Sequence, residues 1–371
     1  PLQFFESKNK GYSLTFTCSF AFVMPLFTLV AGARPNFMKI APLIHALQKK
    51  QREGIALEFR LVHTGQHYDK NMSGDFFEQL NIPAPNANLG GGGGTQAEQT
   101  AAIMVAFEQE LMAHRPNLVL VVGDVTSTLA CSISAKKLQI DVAHVEAGIR
   151  SGDLSMPEEI NRMVTDSITD HFFTTSEIAN NNLRNAGVPE NRIHFVGNTM
   201  IDTLLAQMPH FKKPVGKPFD QLQAGEYFVM TLHRPANVDN EESLRELMEA
   251  ILDGTAGLPV VFPVHPRTAK NLERLGIAAR NLHLISPLGY LEFNHLVQHA
   301  KGIITDSGGV TEEASVMNVP CLTLRDSTER AETIHLGTNE LVGTDPKNLG
   351  PYLAKILADS WKQYKGIPLW D

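Results

Sequence analysis

Short apolar runs rich in β-branched residues alternate along the chain with longer segments of helical period, and this alternation predicts βαβ units and parallel sheets. In the first half, Phe27–Ala31, Phe59–His63, Leu118–Val122, Val142–Val145, His171–Thr174 and His194–Val196 read as strands. Helices fill the gaps. The clearest runs from Gln96 to about Ala113, opened by Thr95 and Glu98 in capping-box spacing and closed before Pro116. The stretch from Pro209 to Pro218 breaks both periodicities and predicts a linker. A second series follows, with strands at Tyr227–Leu232, Val260–Val264, His283–Ile285, Gly302–Thr305 and Cys321–Leu324, and helices beginning near Glu241, Thr268, Leu291, Val310 and Asn348. The expected architecture is α/β, with two doubly wound Rossmann-like domains facing each other across a cleft. The first covers residues 24–208 and the second 227–371, joined by 209–226, with the last helix packing back on the N-terminal domain.

Two segments interrupt this picture. Five consecutive glycines, Gly90 to Gly94, are too costly in entropy for a strand or helix and read either as a plain linker or as a mobile loop near the cleft. At the N-terminus, Lys8 and Lys10 precede an apolar run from Leu14 to Val30, and Ala31-Gly32-Ala33 imitates a secretory cleavage site. Cleavage there would remove the first core strand, and Thr15, Thr17, Cys18, Ser19 and Pro25 make the run a poor membrane span. The simpler account of residues 1–23 is a vector-derived or mis-annotated extension ahead of a natural start at Met24.

A chain of 371 residues exceeds one ordinary core, and about one domain per 150 residues also predicts two. With 32 Lys+Arg against 40 Asp+Glu the net charge is −8, and no basic run offers a phosphate backbone a footprint, which argues against nucleic acid as partner. Cys18, Cys131 and Cys321 are widely spaced and odd in number, so neither a disulfide framework nor a zinc site is indicated, and a cytoplasmic setting fits.

Candidate chemistry concentrates at strand ends. Glu146 ends an apolar strand in His144-Val145-Glu146-Ala147-Gly148-Ile149-Arg150, and Glu158 and Glu159 open a helix shortly after. Paired carboxylates beyond the carboxyl ends of parallel strands can divide proton donor and acceptor roles. Surface ion pairing with Arg150 and Arg162 is the blander alternative. Gly123-Asp124, His233-Arg234 and His265-Pro266-Arg267 also end strands, and together these clusters suggest a charged cleft floor, with metal binding the less favoured use of the histidines. Ser307-Gly308-Gly309 between strand and helix suits a phosphate at a helix N-terminus, and Glu313 one turn on suits ribose hydroxyls; a tight turn with a solvated Glu is the alternative. Arg34 and Lys39 after the first strand suit a phosphorylated ligand or are surface charges. Neither GxGxxG nor GxxxxGK[ST] is present.

Taken together, GARPNFMK from Gly32, HTGQHYD from His63, VVGDVTSTL from Val121, HVEAGIRS from His144, MPEEINR from Met156, TLHRPANVD from Thr231, DSGGVTEEA from Asp306 and LRDSTERAE from Leu324 resemble the non-hydrolysing UDP-N-acetylglucosamine 2-epimerases, which have the GT-B fold. The resemblance runs from about Phe27 to the C-terminus. It implies catalytic roles for Asp124, Glu146, Glu158 and His233, with Glu159 in place of Glu158 if the register is off by one. It implies UDP contacts from Arg34, His233, Phe293, Ser307, Gly308, Gly309, Glu313 and Arg330, to which Lys39 is added by its position about one helical turn beyond Arg34, and a homodimer. The implied chemistry expels UDP as the C2 proton leaves, giving 2-acetamidoglucal, and re-adds UDP as a proton returns to the other face; it calls for no cofactor. Gln66 and His67 are candidates for an activator site, where Tyr68-Asp69 departs from a further glutamine and predicts weakened activation. A hydrolysing epimerase, an epimerase of a modified sugar such as UDP-2,3-diacetamido-glucuronate, a GT-B glycosyltransferase and a non-catalytic sensor are the alternatives. The mannosamine product would serve surface polysaccharide synthesis.

Overall fold

The structure is a computed structural model and describes residues 24–65, 77–264, 266–277 and 279–370, without the side chains of Arg34, Pro235, Ala236, Pro266 and Arg267. The leader at 1–23, the candidate activator residues Gln66 and His67 with Tyr68-Asp69, and His265 lie outside the described residues.

Strands β1 (Leu26–Ala31), β2 (Glu58–His63), β3 (Ala87–Asn88), β4 (Leu118–Val122), β5 (Asp141–Val145), β6 (His171–Thr174) and β7 (Ile193–Phe195) form one parallel sheet in the order 3-2-1-4-5-6-7. A second parallel sheet holds β8 (Phe228–Thr231), β9 (Val260–Pro263), β10 (Leu282–Ile285), β11 (Gly302–Thr305), β12 (Cys321–Thr323) and β13 (Asn339–Leu341) in the order 10-9-8-11-12-13. Both sheets reverse direction of winding beside their first strand, so both have a switch point, between β1 and β4 and between β8 and β11. Ligands of doubly wound folds bind beyond the carboxyl ends of the strands at such points.

Continuous apolar strands are what burial on both faces requires. Leu29, Ala31 and Leu61 pack against Phe37, Ile40 and Ile44 of helix Arg34–Arg52, while Val30, Val62, Val119 and Val121 pack against Ile103, Phe107 and Leu111 of helix Gln96–Ala113 on the opposite face. The latter helix begins as its sequence predicts: Thr95 Oγ1 accepts from Glu98 N at 3.2 Å and Glu98 accepts from Thr95 N at 2.8 Å. Two Rossmann-like sheets with helices on both faces constitute the GT-B fold. The final helix, Leu349–Leu357, packs on Glu241–Gly254 of the second half. The segment beyond it makes the return to the first half: Ile367 and Trp370 pack on Ile201 and Leu204, and Trp370 Nε1 donates to the Thr175 carbonyl at 2.8 Å. The glycine run lies against the end of β2, where Gly91 N donates to the Thr64 carbonyl at 2.7 Å and Gly65 approaches Gly90 too closely for any side chain.

Candidate active site

At the first switch point Asn36 ties two strand ends together. Its Oδ1 accepts from the amides of Gly32 and Ala33 at 3.0 and 2.9 Å, and its Nδ2 donates to the Val122 carbonyl at 3.2 Å. One turn further along the same helix, Lys39 reaches over Gly123, which follows β4 with φ +67°; a Cβ there would lie 3.0 Å from Lys39 Nζ. Glycine at 123 thus supplies both the left-handed backbone and the room. Lys39 Nζ then sits 2.6 Å from Oε2 of Glu146, whose Oε1 is buried with no hydrogen-bond partner among the described residues. Glu146 itself has φ +70°, sparsely populated for a residue with a side chain, and its amide is held by the Phe173 carbonyl at 2.9 Å. Such local strain gathers where side-chain direction matters more than comfort. Burial pushes the Glu146 carboxyl up, but Lys39 and Arg330 outweigh it and the group lies below the usual range.

Asp124, next to Gly123, is gripped by Arg162: Nη2 lies 2.5 Å from Oδ2. Arg162 is one turn into helix Pro157–Ile168, so Nη1 also meets Glu159 at 2.8 Å. Glu159 is saturated, accepting besides from the amides of Ser151 and Gly152 and from the Ser151 hydroxyl. Its neighbour Glu158 points elsewhere, into the cavity described below, and has no hydrogen bond or ion pair among the described residues. The two adjacent glutamates therefore divide into an anchor and a free carboxylate. Arg150 binds Asp166 at 2.7 Å and Arg162 binds Asp124 and Glu159, but Asp166, Arg162 and Glu159 are buried, so these are interior pairs and not the surface pairing of the alternative; Glu146 pairs with neither Arg150 nor Arg162.

In the second half Asp306 is the buried post. Its carboxylate accepts from the amides of His233 and Arg234 and from Asn237 Nδ2, which fixes the loop after β8 against the loop after β11. Those hydrogen bonds outweigh burial and hold its carboxyl low. Ser307 stands at the N-cap position of helix Gly308–Val316 without a side-chain capping bond, and Ser307, Gly308 and Gly309 line the cleft at the helix N-terminus. Arg330 extends from the loop before helix Ala331–His335, with Nε on Glu312 and Nη2 3.2 Å from Glu146 Oε2 across the cleft.

A cavity of about 240 Å³ lies between the halves and brings together Lys39, Asp124, Glu146, Glu158, Ser307, Gly308, Gly309 and Arg330. Three of the expected site residues stand outside its lining. His233 precedes Arg234, which does line it, but its own side chain is 66% exposed. Phe293 packs in the core around Val229 and Val261. Glu313 is buried and accepts from the Tyr290 hydroxyl at 2.8 Å; burial, only partly opposed by that bond and by the nearby Asn294 amide, raises its carboxyl to about 7. Arg34 opens its helix, and its side chain lies outside what is described. Arg234 lines the cavity as its strand-end cluster suggests, whereas Arg162, Glu312 and Glu329 are lining residues that the sequence did not single out. A signal existed for two of them: Arg162 is one helical turn from Glu158, and Glu312 is four residues from Gly308, hence on the same face. Among the described residues no three His, Cys, Asp or Glu side chains are grouped to hold a metal ion.

Residues 48–369 match the family model of UDP-N-acetylglucosamine 2-epimerase. The UDP-N-acetylglucosamine 2-epimerase of Methanocaldococcus jannaschii is 43% identical over 332 residues, 87% of this chain and 89% of that one. The UDP-2,3-diacetamido-2,3-dideoxy-D-glucuronate 2-epimerase of Pseudomonas aeruginosa is 40% identical, covering 92% and 96%. Among solved structures, the M. jannaschii enzyme in complex with UDP-GlcNAc and UDP superimposes with a TM-score of 0.82 at 41% identity, covering 93% of this chain and 97% of that one. The Neisseria meningitidis enzyme bound to UDP-GlcNAc gives 0.84 at 30%, covering 94% and 95%. With this coverage and two halves meeting in one carboxylate-lined cavity, the chain belongs to the UDP-N-acetylglucosamine 2-epimerase family.

Proposed function

We propose that the chain interconverts UDP-N-acetylglucosamine and UDP-N-acetylmannosamine by eliminating and re-adding UDP. The observation that carries this reading is the cavity itself, which sets three carboxylates from one half against a glycine-rich helix N-terminus and Arg330 from the other. A C2 hydrogen in a pyranose is not acidic enough for direct exchange. Elimination avoids the problem: the C2–H and C1–O bonds break, C1=C2 forms, UDP takes the C–O electron pair and a carboxylate takes the proton. Re-addition reverses each change with a proton delivered to the opposite face of C2. The two proton-handling groups are drawn from Asp124, Glu146 and Glu158, which reach the cavity from three different segments. Lys39, Arg330 and the amides of the Ser307-Gly308-Gly309 turn hold the diphosphate, with Arg34 and His233 completing the clamp. A volume of about 240 Å³ is below the roughly 300–1,000 Å³ of small-molecule sites, so the cleft opens to admit a nucleotide sugar and bring in Phe293 and Glu313.

The 40% identity to the P. aeruginosa diacetamido-glucuronate epimerase supports a second reading, in which the sugar carries a second acetamido group and a carboxylate. Incubation with UDP-N-acetylglucosamine in deuterated water, followed by NMR at C2, separates them. Deuterium entering both epimers with UDP still esterified supports the first; early stoichiometric free UDP supports hydrolysis; no turnover supports the modified sugar. A homodimer belongs to the same proposal, supported by Leu154, Ile160, Met163 and Val164 exposed together at and before helix Pro157–Ile168. A cytoplasmic setting is supported by the free thiols of Cys131 and Cys321.

A further inference from the structure

Arg330 is held from two directions that differ in kind. Nε rests on Glu312, which belongs to the same half of the molecule and is 1% exposed. The Nη edge crosses the cleft, to Glu146 Oε2 at 3.2 Å and to Thr175 Oγ1 at 3.4 Å. A ligand entering the cavity can take the place of the cross-cleft partners, whereas Glu312 stays on the far edge of the guanidinium. The charges favour an exchange. Of the cations lining the cavity, Lys39 is paired with Glu146, Arg162 with Asp124 and Glu159, and Arg330 with Glu146 and Glu312, so a diphosphate finds these three already committed to carboxylates, while Arg234 reaches the Asp306 carbonyl instead.

We propose that Glu312 is a positioning residue for the reaction proposed above, gripping Nε of Arg330 throughout the cycle so that the Nη edge passes from Glu146 to the substrate's diphosphate. This rests on the UDP-sugar reading of the cavity. A guanidinium offers a planar fork of donors, and one anchored edge leaves the other aimed for bidentate phosphate contact. The exchange also times the chemistry. Glu146 is a weak base while Lys39 and Arg330 hold it; losing Arg330 to the phosphate raises its proton affinity when the sugar is in place.

The groups facing Glu312 are Arg330 and Lys39 on one side of the balance and Glu146 and Glu332 on the other. Burial raises its carboxyl to about 8 against the two cations, with Glu146 and Glu332 adding to the rise. Below that pH Glu312 holds Nε as a neutral acid; above it, a further negative charge stands beside the incoming diphosphate. UDP affinity therefore falls as pH rises through about 8.

Calorimetric titration of the full chain with UDP from pH 6 to pH 9.5 tests this. The native chain is expected to lose about tenfold in affinity across the alkaline limb, from repulsion between the added charge and the diphosphate. Glu312→Gln, which keeps an oxygen for Nε and cannot ionise, flattens that limb. Glu312→Ala weakens UDP about tenfold at pH 7 and raises KM more than it lowers kcat. If Glu312→Ala does not fold, the Gln profile decides alone. A Gln variant whose affinity falls in step with the native chain, or an Ala variant that binds UDP as the native chain does, overturns the role of Glu312 alone. A native chain that binds no UDP at any pH overturns the reading of the cavity with it.

Discussion

Nε2 of His144 lies 2.8 Å from the carbonyl oxygen of Gly123, one strand over, while Nδ1 of the same ring lies 2.7 Å from Asp166. The Gly123 carbonyl can only accept, so Nε2 carries the proton that joins the two strand ends, and Nδ1 faces the Asp166 carboxylate. His144 is fully buried at the end of β5, two residues before Glu146, and Gly123 directly precedes Asp124. A single ring thus sets the register of the two loops that carry two candidate proton-handling groups. Asp166 is fixed in turn by Gly148 N and Arg150.

His144→Ala removes one member of a buried hydrogen-bonded pair and orphans the Gly123 carbonyl, so unfolding free energy is expected to fall by roughly 3–5 kcal/mol. Asp166→Ala should cost a similar amount, and the double variant less than the two together by about 0.5–3 kcal/mol, as contacting residues do. Urea unfolding of the three variants reads this directly. Additive losses would show that the ring and carboxylate are not coupled.

Adjacent glutamates provide a sharper contrast. Glu158→Gln is expected to lower turnover by about 10²–10⁴-fold while leaving unfolding unchanged, because the side chain faces the cavity without a structural partner. Glu159→Gln should lose roughly 2 kcal/mol of stability, since its carboxylate satisfies Arg162 and two backbone amides. Turnover and melting measured on the same two preparations check the assignment. Stable, inactive Glu159→Gln beside active Glu158→Gln would reverse it.

How far the sequence carried these assignments depended on whether a residue's role was written in its own neighbourhood. Gly302–Thr305 and Leu118–Val122 are strands over the residues expected, because buried parallel strands are continuous apolar runs. The edge strands Ala87–Asn88 and Asn339–Leu341 are too short and polar for such a run and were invisible. Asp124, Glu146 and Glu158 were legible as carboxylates at strand and helix ends, and the cavity brings them together. Partner choice was not legible. That Glu159 would be the anchor and Glu158 the free group depends on Ser151, Gly152 and Arg162, three contacts set by a loop no pattern describes. The burial of Glu313 under Tyr290 likewise comes from helix Tyr290–Gln298 folding over it, a tertiary fact that helical spacing within Gly308–Val316 does not contain.

That burial leads to a pH signature of opposite sign on the two sides of the carboxylate range. Glu329, held by Arg325 and Arg162 against burial, is lowered to about 2, so its contribution is present above pH 4.5 and lost as pH falls toward 2. Glu313 is raised from 4.5 to about 7 by burial. Between those values the folded chain binds a proton that the unfolded chain has released, and stability therefore falls as pH rises through that window. Glu312 extends the same slope to about pH 8. Stability should peak near pH 5 and decline toward pH 8. In Glu313→Gln the amide oxygen still accepts from the Tyr290 hydroxyl but carries no titratable proton, so the loss between pH 5 and pH 8 should shrink by roughly 3 kcal/mol. Guanidinium unfolding at both pH values, native chain beside variant, measures it. An undiminished loss in the variant would mean that Glu313 ionises freely in the folded chain and that its burial beneath Tyr290 does not persist in solution.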